Sequence, residues 1–169
     1  MSNNRGKLIE SALFSLQGER FRYTYRAGNM LTMGFGEDKT HVRHDGTIRV
    51  VARYALHVQS SWRLLKDNSI VLGCDDFYIA QNGVTYEEFK VDGGFGKSIF
   101  DSNSTFLNEY IEHRHICVLK IEASDFGDLV ISMDDNYRLE VMYNSSVLDE
   151  SWRFFEVGSE KKHFVVFNE

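Results

Sequence analysis

The longest regular pattern in the chain is an alternation of period two over residues 48–59. Ile48, Val50, Ala52, Tyr54, Leu56 and Val58 share one face, while Arg49, Val51, Arg53, Ala55, His57 and Gln59 share the other. Period two is the spacing of a strand with one face on a core. The segment therefore reads as a long central strand, buried on the first face and polar on the second. A slip of one residue would exchange the faces, which fixes the register. Asp45-Gly46 in front of it suits a tight hairpin turn. Ser60-Ser61 ends the alternation and turns the chain into Trp62; residues 70–73 follow as another strand, then Asp75 and Asp76.

Upstream, residues 7–17 place Leu8, Ile9, Ala12, Leu13 and Leu16 at helical spacing, with Asn3 or Asn4 as cap and Gly18 as stop. Residues 1–5 are polar and are expected to fray. From Arg20 the period changes to two. Phe21, Tyr23 and Tyr25 alternate with Arg20, Arg22, Thr24 and Arg26, and the turn Ala27-Gly28-Asn29 leads into a return strand from Met30. In this hairpin the arginines are expected in solvent, polar-out alternation being the rule for antiparallel sheets. The functional alternative is a basic strip facing an acidic ligand.

Downstream, residues 81–104 are the least regular and read as an exposed connection carrying a short strand near 84–91. Residues 104–114 read as a second helix, with Phe106, Leu107, Tyr110 and Ile111 on one side and Ser102 or Asn103 as cap. Short strands are expected over 115–123, 129–133, 138–143 and 163–167, with turn residues between them. The fold class is α+β: a mainly antiparallel twisted sheet, or pair of sheets, with two helices packed on it.

The chain also echoes itself. Its only tryptophans, Trp62 and Trp152, are each followed by arginine, Arg63 and Arg153. Leu56-His57-Val58 precedes the first pair as Leu139-Glu140-Val141 precedes the second, and Gly46 aligns with Gly127. The expected organisation is one domain over 1–169, with pseudo-repeat halves 7–80 and 104–169 joined by an irregular segment 81–103. The period is about ninety residues, half the chain. The two tryptophans then hold equivalent places, and a groove could lie between the halves. A Trp-Arg pair has a plain structural role, since the indole buries a large area while the guanidinium on the opposite face reaches a carboxylate. Asp75 and Asp76 are candidates for Arg63, and Glu140, Glu150 and Glu156 for Arg153.

Composition adds bounds. A hydrophobic content of 43% supports a core. The net charge of −6 argues against a sequence-independent nucleic-acid binder and suits a basic protein partner. No run approaches the roughly 18 apolar residues of a membrane span, and residues 1–20 hold no signal-peptide pattern. Cys74 and Cys117 read as free thiols in a cytoplasmic protein.

Candidate chemistry is sparse. Gly96-Lys97-Ser98 resembles the end of a phosphate-binding loop, but Val91 stands where the pattern needs glycine and no apolar parallel strand precedes it. The six histidines show no zinc-ligand spacing. No catalytic constellation, metal site or cofactor is expected. His57, on the polar face of the long strand beside the Trp corner, is the residue best placed for chemistry. The candidate ligand-binding residues are His57, Trp62, Arg63, Asp75 and Asp76, with Trp152 and Arg153 as second-copy equivalents.

Leu56-His57, Trp62-Arg63, the run Ile70-Val71-Leu72-Gly73 and then Asp75 or Asp76 together resemble the signature of a group of small uncharacterised bacterial proteins. That signature reads Leu-His-x-x-Cys-Pro-Trp-Arg, then an apolar strand, Gly and Asp. Ser60-Ser61 stands here in place of Cys-Pro, and the resemblance covers about the central quarter of the chain. Such proteins look like members of the bacterial immunity-protein repertoire. The resemblance implies a non-enzymatic protein that neutralises a toxin, and it carries over no catalytic residues. The alternative function is a small-molecule-binding or hydrolytic protein with His57, Arg63 and Asp76 lining a groove.

Overall fold

The computed structural model describes residues 4–167. Its first half contains α1 (Arg5–Ala12), β1 (Phe21–Ala27), β2 (Met30–Val42), β3 (Ile48–Val58), β4 (Ser61–Lys66) and β5 (Ser69–Gly73). Then come α2 (Tyr86–Phe89) and α3 (Ile99–Glu112). The second half adds β6 (Val118–Ala123), β7 (Leu129–Met133), β8 (Tyr137–Met142), β9 (Glu150–Glu156) and β10 (Phe164–Phe167).

The strands form two five-stranded antiparallel sheets, ordered β1-β2-β3-β9-β10 and β5-β4-β8-β7-β6. Alternate residues of both sheets meet in one core. Leu31, Met33, Leu56, Val58, Trp152 and Val166 come from the first, and Trp62, Leu64, Ile131, Leu139 and Val141 from the second. Burying each such side chain contributes roughly 1.5–3 kcal/mol. At Gln59-Ser60 the chain leaves the first sheet and enters the second; between β8 and β9 it makes the reverse crossing. Each half thus lays three strands in one sheet and sends its last two into the other. Read from its far edge, the second sheet runs β6-β7-β8-β4-β5, the order of the first with the halves exchanged.

The crossing sets the pairing of the Trp-Arg strands. Trp62 and Arg63 pair with Val141 and Glu140, and Trp152 and Arg153 pair with Val58 and His57. Each Leu-x-Val strand therefore receives the Trp-Arg strand of the other half. Gly46 and Gly127 are not equivalent, however. Gly46 lies between β2 and β3, whereas Gly127 lies between β6 and β7. The turn matching Gly46 is Asp134–Asn136, between β7 and β8.

Several local expectations change. Asn4 is the N-cap residue of α1, and Asn3 lies outside the described residues, as do the other residues expected to fray except Asn4 and Arg5. Arg5 is helical and donates to the Phe167 carbonyl. The helix is shorter than its apolar pattern, giving way to a tighter turn over Phe14–Leu16. α3 starts at Ile99 rather than 104, because Ser98 and Asp101 form a reciprocal capping box. The strand expected near 84–91 is instead the short α2, capped by Thr85 with Glu88.

β1 reverses its faces. A bulge between Phe21 and Tyr23 shifts the register against β2. Phe21 stays in the core, but Tyr25 beyond the bulge is exposed, while Thr24 and the Arg26 side chain are buried. Their cover is α3, whose Asn108 accepts from Thr24 N (2.8 Å) and donates to Thr24 O (2.9 Å). The arginines in and just before this strand are taken up structurally: Arg20 donates to the Ile111 and Glu112 carbonyls at the end of α3, and Arg22 pairs with Asp38 at 2.6 Å.

β3 is buried on its expected face only from Ala52 onward; Ile48 and Val50 are exposed. The cause is pairing. Backbone bonds from the β1 side reach β2 only as far as Gly36 and those from the β9 side reach β3 only from Arg53, so the distal parts of β2 and β3 run on as a two-stranded arm.

Candidate functional site

The concave feature nearest the predicted residues is a cleft at the crossing from β3 to β4. Two hollows, of about 320 and 190 Å³, share Asn29, Phe77 and Tyr78. Arg26, Gly28, Asp92, Gly93 and Phe95 line the first. Gln59, Ser60, Ser61, Cys74, Asp75 and Asn144 line the second.

Each wall has a local cause. The β1–β2 turn brings Asn29 to the rim through Gly28, whose φ of +61° suits glycine. The turn Cys74–Tyr78 is held by Asp76, whose Oδ2 accepts from Gly73 N at 2.8 Å. It drives Phe77 inward, where its ring lies 4.5 Å from that of Phe100 and 5.6 Å from that of Trp62, and it leaves Tyr78 outside. Asp92, Gly93 and Gly94 take three successive left-handed conformations, which curl the chain so that Phe95 stands out at the mouth. The crossing itself is pinned by Ser151 Oγ to Ser60 Oγ (2.8 Å) and Asn144 Nδ2 to Ser61 Oγ (2.6 Å).

Arg26 ties the cleft together from below. Its side chain is 4% exposed and clasps Asp101 with Nε and Nη2 at 3.0 and 2.9 Å. Nη2 also donates to Gly94 O at 2.8 Å. The guanidinium lies 5.6 Å from the Phe77 ring and 5.2 Å from the Phe95 ring. A buried charge needs such a partner, and a bidentate carboxylate with aromatic faces provides it.

The predicted residues do not converge here. Asp75 lines the cleft, and Asp76 serves its turn. Trp62 is core beneath it. Arg63 sits on the outer side of the second sheet, where Nε reaches Glu140 at 2.6 Å. His57 lies on the outer side of the first sheet, edge-on to Phe155 at 4.9 Å. Burial lowers its pKa, with Arg153 and His163 adding repulsion. Trp152 is core and donates to Gly127 O at 2.9 Å, and Arg153 clasps Glu150. His57 and Arg63 diverge because they point away from the shared core, one from each sheet.

Sequence reasoning missed Arg26, Asn29, Tyr78, Asp92 and Phe95. One signal was present: Tyr78, Ile79, Tyr86, Val91 and Phe95 are large apolar residues in or beside a segment without helix or strand period, where nothing buries them.

Chemically the cleft offers amides, hydroxyls and two carboxylates. Among the described residues no histidine lines these two hollows, and Cys74 Sγ lies 3.7 Å from Asp75 Oδ1. The Ser60 and Ser61 hydroxyls are bonded to Ser151 Oγ and Asn144 Nδ2. Among the described residues, no group of three or more His, Cys, Asp and Glu side chains is placed to hold a metal ion. No helix among them is long and apolar enough to cross a membrane. Comparison with protein-family models, with curated proteins and with solved structures returns no match to this chain.

Proposed function

We propose that this is a non-enzymatic binding protein that recognises a basic protein partner through the face around the cleft. One observation carries the reading. Over residues 75–98, Tyr78, Ile79, Tyr86, Val91 and Phe95 are each more than half exposed, among Asp75, Asp76, Glu87, Glu88 and Asp92. The two lysines there are engaged within the segment: Lys90 pairs with Glu87, and Lys97 Nζ donates to Glu88 O at 2.9 Å. Exposed aromatic anchors in a field of net negative charge are what a docking face for a basic partner requires.

The immunity-like resemblance supports the same class. An acidic face of this kind would neutralise a cytoplasmic toxin by covering a basic cleft. Quantitative affinity capture tests the reading, comparing the wild type with a Tyr78→Ala, Phe95→Ala double variant. A basic protein captured by the wild type and reduced at least about tenfold by the variant is expected, hot-spot truncation typically costing 2 kcal/mol or more. Finding no protein whose capture depends on these residues would sink it.

The cleft supports a second reading, in which Asn29, Ser60, Asp75 and Asn144 hold a small polar ligand. Thermal-shift screening of polar metabolites tests it. A stabilising hit should be abolished by Asn29→Ala without loss of fold.

A further inference from the structure

The arm formed by the distal parts of β2 and β3 has the chemistry that this acidic face selects. From Lys39 to Val42 and from Ile48 to Val51, the two strands pair only with each other along the ladder, so their outer backbone edges are open there, while at the base Ala52 N donates to Tyr23 Oη at 3.3 Å. On one side Val42, Ile48 and Val50 are 60%, 69% and 68% exposed. Arg49 and His41 occupy the other side with Lys39, whose Nζ donates to Val157 O at 2.8 Å, and Arg43 and His44 stand at the tip. The one carboxylate between Lys39 and Ala52 is Asp45, and its Oδ1 is turned onto Thr47 N (2.9 Å) and Thr47 Oγ1 (2.6 Å). The arm is therefore cationic and apolar together. A two-stranded ribbon is marginal in water by itself, and open edges beside an exposed apolar side are normally covered.

We propose that the arm of one copy docks on the acidic aromatic face of a second copy. Val42, Ile48 and Val50 would pack among Tyr78, Ile79 and Phe95, while Arg43 and Arg49 meet Asp75, Glu87 and Asp92. The inference rests on reading residues 75–98 as a docking face. It adds that the chain carries its own occupant for that face, so self-association and partner binding compete. A reciprocal exchange closes at two copies, whereas a one-way exchange runs on into a chain.

Sedimentation velocity from about 1 to 200 μM protein, at low salt and at about 0.5 M salt, tests this. The wild type should shift from one copy to two or more with concentration, and salt should weaken the shift. An arm variant (Arg43→Glu, Arg49→Glu) and a face variant (Asp75→Lys, Glu87→Lys) should each weaken association at least about tenfold, which is 1.4 kcal/mol. All four positions are exposed, and melting temperatures near that of the wild type check the folds. Mixing the two variants should restore association, because each then offers the charge that the other lacks.

A wild type that stays one copy throughout overturns the proposal. So does a mixture that fails to restore association. Binding of the arm to phosphatidylserine vesicles or duplex DNA by a protein that remains one copy also overturns it, by assigning the arm to an anion outside the chain. If association is absent while partner capture still depends on Tyr78 and Phe95, this inference falls and the proposed function stands. If the Tyr78→Ala, Phe95→Ala variant changes neither, both fall.

Discussion

The two Trp-Arg strands share their backbone setting and differ in everything polar around it. Trp62 packs near Phe77 and Phe100, below the cleft. Trp152 packs near Phe164 and donates to Gly127 O. Opposite Arg63 stands Glu140, which also takes Arg138 at 2.7 Å, so one carboxylate serves two guanidinium groups. Opposite Arg153 stands His57, which offers no negative charge, so Arg153 clasps Glu150, three residues back on its own strand. Both indoles are buried in the core. What distinguishes the corners is what each indole meets: the first lies beneath a cleft lined by Asn29, Tyr78 and Phe95 from three separate turns, and the second donates to the Gly127 carbonyl.

The largest effects should come from the indoles. Trp62→Ala and Trp152→Ala should each cost about 3–5 kcal/mol in urea unfolding. Trp152→Phe should cost about 1 kcal/mol more than Trp62→Phe, because it leaves the buried Gly127 carbonyl without its donor. Equal costs would mean that the hydrogen bond adds nothing to the difference between corners.

Next is Asp101→Ala, which strands the Arg26 charge beneath the first corner and removes half of the α3 capping box. About 3–5 kcal/mol is expected. Capture of a partner should fall in parallel, since Arg26 holds Gly94 and the loop that presents Phe95. A stable variant with an intact face would show that the loop stands without its anchor.

A smaller effect separates the corners by pH. The unfolded His57 takes up a proton near 6.5, whereas the folded one is held lower, chiefly by burial. Its contribution is fully present above the unfolded value and is lost as the pH falls towards the folded one. The urea midpoint should therefore drop less between about pH 7.5 and 5.5 in His57→Gln than in the wild type. Identical slopes would place the pH sensitivity elsewhere.

The smallest effect is expected for Glu140→Gln. Arg63 and Arg138 are both nearly half exposed, and such pairs are worth at most about 1 kcal/mol. A larger loss would make this carboxylate a structural hub.

The strand framework was legible because period-two alternation, Asp45-Gly46 and the Leu-x-Val and Trp-Arg strings act locally. The α+β class and most strand positions followed from them. The bulge at Arg22 was not legible, since nothing in Phe-Arg-Tyr-Thr-Tyr-Arg marks where register slips. Its consequence, Arg26 buried on Asp101, depends on a helix far along the chain. The arm was hidden for a similar reason: Ile48 and Val50 continue a perfect alternation, and only the reach of neighbouring strands decides that nothing covers them. The cleft draws on β1, three turns, the crossing and Asn144. No spacing rule joins residues so dispersed, whereas His57, Arg63 and Asp76 are close in sequence but lie on the outer side of the first sheet, the outer side of the second and a turn.

The crossed strands also constrain how the protein is made. As the chain leaves the ribosome, β3 holds its final edge open until residues 150–156 have been synthesised, and β4 waits in the same way for β8. Neither half can close a sheet by itself. A nascent chain stopped after the first half would carry two sticky edges and a Trp with no finished pocket. Chaperone contact during synthesis should therefore peak before the second Trp-Arg strand emerges and fall once it has paired.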